Sequence, residues 1–217
     1  ARFIYAHPRD WYVTVNERTR PGQPQRDVIE LPIDAELDVS GWDLRKALRL
    51  LSKSNPTLSE WLRSPIVYRQ DIETTKGLVE LAEACYSPMA TWWRYFSMAK
   101  SNFRGYLRGD RIRTKKYLYV LRPILACRWV EQEKSPPPMA FEILLDRFIP
   151  DGSLRLAIDE LLAKKRVSAE VGDGPRIPEI SAFLEAELAR MELAKPKLQD
   201  SDVDHERLDV FLRSALA

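Results

Sequence analysis

Residues 37 to 48 read LDVSGWDLRKAL, and the chain changes character inside them. Leu37, Asp38 and Val39 end a strand-like run, and Ser40-Gly41-Trp42 reads as a turn. Asp43 then opens an amphipathic helix in which Leu44, Ala47, Leu48 and Leu51 share one face. A short strand feeding a helix sets the expected order, strands first and helices after. A carboxylate between two apolar residues at a strand end has two readings. Asp38 is a turn residue bonding back to the Ser-Gly backbone, or it is a metal-ligating carboxylate held rigidly at a strand tip. Asp43 reads as a helix cap.

Upstream, RFIYAHP is rich in aromatic and β-branched residues and predicts a strand ended by Pro8, with a second, weaker strand in DWYVTVN, residues 10 to 16. Residues 17 to 26, ERTRPGQPQR, read as a polar loop. DVIELPI and ELDVSGW give two more strand-like runs around Pro32. Downstream the apolar period is helical almost throughout. A short helix lies between Pro56 and Pro65, and others cover 71–86, 91–109, 180–195 and the C-terminal DHERLDVFLRSALA. MAFEILLDRFIP and SLRLAIDELLAKKRV add two shorter ones. RIRTKKYLYVLRPILACRWVEQE, residues 111 to 133, is expected to be one helix kinked at Pro123. GDGPRIP, residues 172 to 178, reads as a loop. The expected class is α+β: a small mixed sheet in residues 1–53, followed by a mainly helical domain in 54–217.

A chain of 217 residues holds one large domain or two small ones. A net charge of +2 argues against a strongly basic binder and leaves room for local patches. Cys85 and Cys127 sit in apolar helical patterns, as buried thiols of a cytosolic protein do. With only these two cysteines, and His7 and His205 far apart, a zinc site is not expected. No apolar run approaches the ~20 residues of a membrane span, and the first residues lack a secretory pattern, so a cytoplasmic protein is expected. Ala1 leads straight into a strand pattern, which suggests that the natural start lies upstream. Phosphate-binding Gly-rich loops, GxGxxG, GxSxG and HExxH motifs are absent from the sequence.

Positive charge gathers on two predicted helices. Lys115, Lys116, Tyr119 and Arg122 recur at helical spacing, with Lys100, Asn102, Arg104 and Arg108 upstream among Trp92, Trp93, Tyr95, Phe96, Phe103 and Tyr106. The plainest reading is a solvated face over core aromatics. The functional reading is a cationic wall for a triphosphate or an RNA backbone, with some rings free to stack on a base.

Three runs, ELDVSGWDLRKAL, SNPTLSEWLRSPIVY and KKYLYVLRPILACRWVEQEKSPPPM, closely resemble the RNA-repair-associated nucleotidyltransferases of the DNA polymerase β superfamily. The resemblance covers roughly residues 1 to 147. It implies an active site made of a Gly-Ser turn, an Asp-x-Asp pair on the next strand, and a third carboxylate flanked by apolar residues on a later strand. Leu37-Asp38-Val39 matches the third position, which implies a catalytic and metal-binding role for Asp38. It implies two Mg²⁺ ions and an NTP substrate, with Lys100, Lys115, Lys116 and Arg122 on the phosphates and an acceptor such as an RNA end. The Gly-Ser turn and the carboxylate pair are not in this sequence, and the pair is expected just before Ala1. The chain alone is therefore expected to be inactive. The alternative is a non-catalytic nucleotide- or RNA-binding helical subunit.

Overall fold

A computed structural model describes residues 1–12, 14–15, 27–34, 38–109, 111–167 and 173–217. The loop expected at 17–26, and Leu37, lie outside these residues. The chain forms two compact units, residues 1–87 with 201–217, and residues 88–200. The sequence reading put a boundary at residue 53.

In the first unit, strands β1 (Arg2–Tyr5), β2 (Val28–Pro32) and β3 (Asp38–Asp43) form a mixed sheet in the order β1-β3-β2. β1 runs parallel to β3, with Arg2 opposite Ser40 and Tyr5 opposite Asp43. β2 runs antiparallel to β3, with Pro32 opposite Asp38. Ser40-Gly41-Trp42 is therefore not a turn, because β3 passes through it unbroken. The glycine has a packing reason instead. The Phe3 ring lies against Gly41, and a Cβ there would overlap it. The weak strand expected from residue 10 is also corrected: Arg9–Trp11 is a single 3₁₀ turn.

Asp43 is the last residue of β3 and the cap of helix α1 (Leu44–Leu51), its carboxylate accepting from the backbone N–H groups of Arg45 at 2.9 Å and Lys46 at 3.4 Å. Strand thus becomes helix with no loop between. The buried face of α1 is Leu44, Ala47, Leu48 and Leu51, as its spacing predicts. It joins Leu58 of α2 (Pro56–Leu62), Leu78 and Leu81 of α3 (Ile72–Ala84), and Leu208 and Leu212 of α9 (His205–Ser214) in one core. The chain end therefore completes the core begun by the chain start. The Phe211 ring of α9 lies against Gly77 of α3, where a Cβ would overlap it.

The second unit is built around α5 (Leu118–Glu133), which buries Leu118, Val120, Leu121, Ile124, Leu125, Ala126, Cys127 and Val130. A helix apolar on nearly all sides belongs inside a bundle, and α4 (Pro88–Tyr106), α6 (Phe141–Phe148), α7 (Ser153–Val167) and α8 (Pro178–Leu193) supply that core. The single helix expected from residue 111 is corrected. Arg111–Arg113 is a strand, β4, pairing antiparallel with β5 (Asp173–Pro175) inside the expected loop, and Thr114–Tyr117 is a 3₁₀ turn. Ile112, the apolar residue of the triplet, is buried. Cys85 and Cys127 are both buried free thiols. Among the described residues no helix is long and apolar enough to cross a membrane.

Candidate functional site

Asp38 stands at the first position of β3, beside the start of the parallel strand β1. The backbone nitrogen of Ala1 donates to its carbonyl at 2.6 Å, and the Arg2 guanidinium meets its carboxylate at 3.0 Å. Its side chain is 68% exposed, so the apolar flanks of the sequence do not mean burial. The Arg2 hydrogen bond and charge hold the Asp38 carboxyl below the usual carboxylate range, so it is ionised at neutral pH. The structure thus gives an anionic group fixed at a strand tip, open to solvent, with one cation on it.

Asp43, at the other end of β3, is spent on structure. It is 2% exposed, caps α1 and accepts the Tyr12 hydroxyl at 2.6 Å. That hydroxyl in turn accepts the His7 N–H at 2.8 Å. Burial, then the hydrogen bond to Asp43, pushes the Tyr12 hydroxyl far above its ordinary range.

The basic residues lie in the second unit and do not form one wall. Lys115 and Lys116 are in the 3₁₀ turn before α5, so the helical spacing to Tyr119 and Arg122 does not apply. Lys116 instead sits over two half-exposed rings, 4.0 Å from the Tyr106 centroid and 4.5 Å from that of Tyr119. Lys100 points elsewhere: it pairs with Glu192 of α8 at 2.7 Å and lies over Phe96. Residues 100 and 106 lie about 120° apart around α4, so Lys100 does not share a face with Tyr106. Arg122 donates to the carbonyls of Met139 at 2.9 Å and Pro138 at 3.3 Å, which ties the Pro-rich turn to α5. Its charge serves the fold at that position.

Two features escaped the sequence reading. Arg2 is the partner of Asp38, and only the parallel register reveals it. The Tyr106–Lys116–Tyr119 stack was visible as residue types but needed the 3₁₀ turn to assemble. As to a metal, Asp38 is one carboxylate. Among the described residues no group of three His, Cys, Asp or Glu is placed to hold an ion. Among the described residues a single carboxylate paired with Arg2 does not by itself make a Mg²⁺ site.

The family model of the RNA repair pathway DNA polymerase beta family matches residues 1–214. The chain is 42% identical over 207 residues to the uncharacterized protein YcgL of Bacillus subtilis (strain 168), covering 94% of this chain and 77% of that protein. No solved structure matches. With the match running from β1 through α9, the chain belongs to the RNA repair pathway DNA polymerase beta family.

Proposed function

We propose that the protein takes part in transfer of a nucleotidyl group from an NTP to an acceptor such as an RNA end, with Asp38 as one of the carboxylates of the reacting site. The observation that carries this reading is the placement of Asp38 at the β3 tip beside the start of β1. The parallel register sets Arg2 opposite Ser40, so a residue extending β1 before Ala1 would face Asp38 at about 4.8 Å. That is where the family resemblance puts its carboxylate pair. Bound Mg²⁺ would neutralise phosphate charge and lower the pKa of the attacking hydroxyl. Asp38 contributes a fixed negative charge to such a site, and Arg2 keeps it ionised in its absence. Lys115 and Lys116 are proposed as phosphate contacts. Lys100 and Arg122 keep that role only if they exchange their present partners, Glu192 and the Pro138 and Met139 carbonyls, for phosphate.

A second reading has its own observation. Two half-exposed tyrosines flanking Lys116 form a platform on which a base can stack while the ammonium meets a phosphate. RNA binding without catalysis would use this platform alone. The deciding experiment is incorporation of each labelled NTP into RNA by the full-length protein with Mg²⁺. Transfer supports the first reading; RNA binding without transfer supports the second.

A further inference from the structure

The first unit contains a cavity of about 460 Å³ lined by Arg9, Asp10, Tyr12, Leu212, Arg213 and Leu216. It lies well away from Asp38. The Tyr12 hydroxyl bonds Asp43 at the far end of β3, and a six-residue strand separates its ends by about 16 Å. The volume falls within the ~300–1,000 Å³ of small-molecule sites.

The lining has three chemical parts. Leu212, Leu216 and the Tyr12 ring make an apolar wall, with Leu212 buried in the core. Arg9 and Arg213 line the cavity from the exposed surface, and among the described residues neither guanidinium has a hydrogen-bond or ion-pair partner, so both are available to a ligand at its rim. Arginines of a folded surface commonly find a carboxylate, as Arg2, Arg128 and Arg155 do here. Asp10 adds one carboxylate among these cations. Both sides of the cavity are fixed in advance. Tyr12 is held through its hydroxyl by the His7 N–H and Asp43, which leaves only its ring for a ligand. α9 is held by Asp209, one turn before Arg213, whose carboxylate accepts the Val15 N–H at 2.6 Å. A site whose walls are already ordered loses little entropy on binding.

We propose that this cavity binds a nucleoside 5′-monophosphate unit, at a site separate from Asp38. Two guanidinium groups match a phosphate dianion. The apolar wall with one tyrosine ring suits a planar base. The carboxylate of Asp10 accepts hydrogen bonds from a vicinal diol, which assigns the ribose 2′- and 3′-hydroxyls to it and leaves the phosphate on the 5′ carbon. The unit can be a free nucleotide or the 5′-phosphorylated end of an RNA, and one set of titrations separates the two.

The test is calorimetric titration of the protein with each of the four nucleoside 5′-monophosphates, with adenosine, with inorganic phosphate, and with a short oligoribonucleotide carrying either a 5′-phosphate or a 5′-hydroxyl. At least one monophosphate is expected to bind, with adenosine and inorganic phosphate each about tenfold weaker or more. Arg9→Ala and Arg213→Ala should each lower the affinity about tenfold or more with an unchanged melting temperature. Preference for the 5′-phosphorylated oligonucleotide over both its 5′-hydroxyl twin and the free nucleotide identifies an RNA end as the ligand. Preference for the free nucleotide identifies a small-molecule site. The proposal is overturned if neither monophosphate nor phosphorylated oligonucleotide binds at millimolar concentration, or if both arginine variants bind as the parent does.

Discussion

The side-chain amide of Asn102 donates to the backbone carbonyl of Tyr119 at 3.0 Å, and this is the carbonyl that Pro123 leaves without its helical donor. In an α-helix the N–H of residue 123 would bond to residue 119, and proline has none. A side chain on α4 thus supplies the hydrogen bond that α5 cannot make for itself. Asn102→Ala should cost about 0.5–1.5 kcal/mol, less in a Pro123→Ala background where the helix regains its own donor. A double-mutant cycle by chemical denaturation measures the coupling. Strictly additive effects would mean that the two residues act independently.

A second expectation concerns acid. Glu187 is 5% exposed and accepts two hydrogen bonds from Arg128, at 2.8 and 2.7 Å, and one from Arg190 at 3.2 Å. Burial raises its carboxyl, but the Arg128 hydrogen bonds and charge, with Arg190, outweigh burial and hold it below the ordinary 4.5. A depressed folded-state value adds stability that is complete above the unfolded value and is lost as pH falls through the folded one. Melting followed from pH 7 to pH 3 should therefore show a loss that begins near 4.5 and shrinks in Glu187→Gln. That variant should also be less stable at pH 7 by about 1–3 kcal/mol, because it leaves the partly buried Arg128 guanidinium without its anion, while Arg190 keeps Glu131. An identical acid profile in parent and variant would remove Glu187 as a source of the loss.

Arg122 and Lys116 should separate stability from binding. Arg122→Ala removes the hydrogen bonds to Pro138 and Met139 and should destabilise by about 1–2 kcal/mol. Lys116→Ala should change stability by only about 0.5 kcal/mol. It should weaken binding of single-stranded RNA by about 1–2 kcal/mol, as loss of one phosphate contact at a stacking platform does. Fluorescence titration with a labelled oligonucleotide, alongside thermal melting, reads both. Unchanged RNA affinity in Lys116→Ala would reduce the Tyr106–Lys116–Tyr119 stack to surface packing.

What was legible in the sequence was local. Asp43 as a cap, the buried face of α1, Pro56 at the start of α2 and the long apolar pattern of α4 all follow from residues within a few positions of one another. What was not legible depended on residues far apart in the chain. The Arg111–Arg113 strand carries too few residues to declare a period, and its partner is a Gly-containing triplet that reads as a loop. Ser40-Gly41 reads as a turn until the Phe3 ring is seen against Gly41. Gly77 inside α3 has no local explanation, and Phe211 supplies it from the other end of the chain. Likewise the position of Asp38 beside Arg2 required the parallel register of β1 and β3. The family resemblance implied a role for Asp38; the sheet supplies its surroundings.

The central claim is that the Asp38 carboxylate serves nucleotidyl transfer, and one substitution tests it. Asparagine keeps the size of aspartate and can still accept a hydrogen bond from Arg2, but it carries no charge. Asp38 is exposed and outside the core, so Asp38→Asn should melt with the parent. In the full-length protein, Mg²⁺-dependent incorporation of labelled NTP is predicted to fall about 10²-fold or more, the scale on which loss of one preorganised electrostatic group slows a reaction. Transfer at the parent rate by Asp38→Asn, with melting unchanged, would contradict the account and leave Asp38 as the surface partner of Arg2.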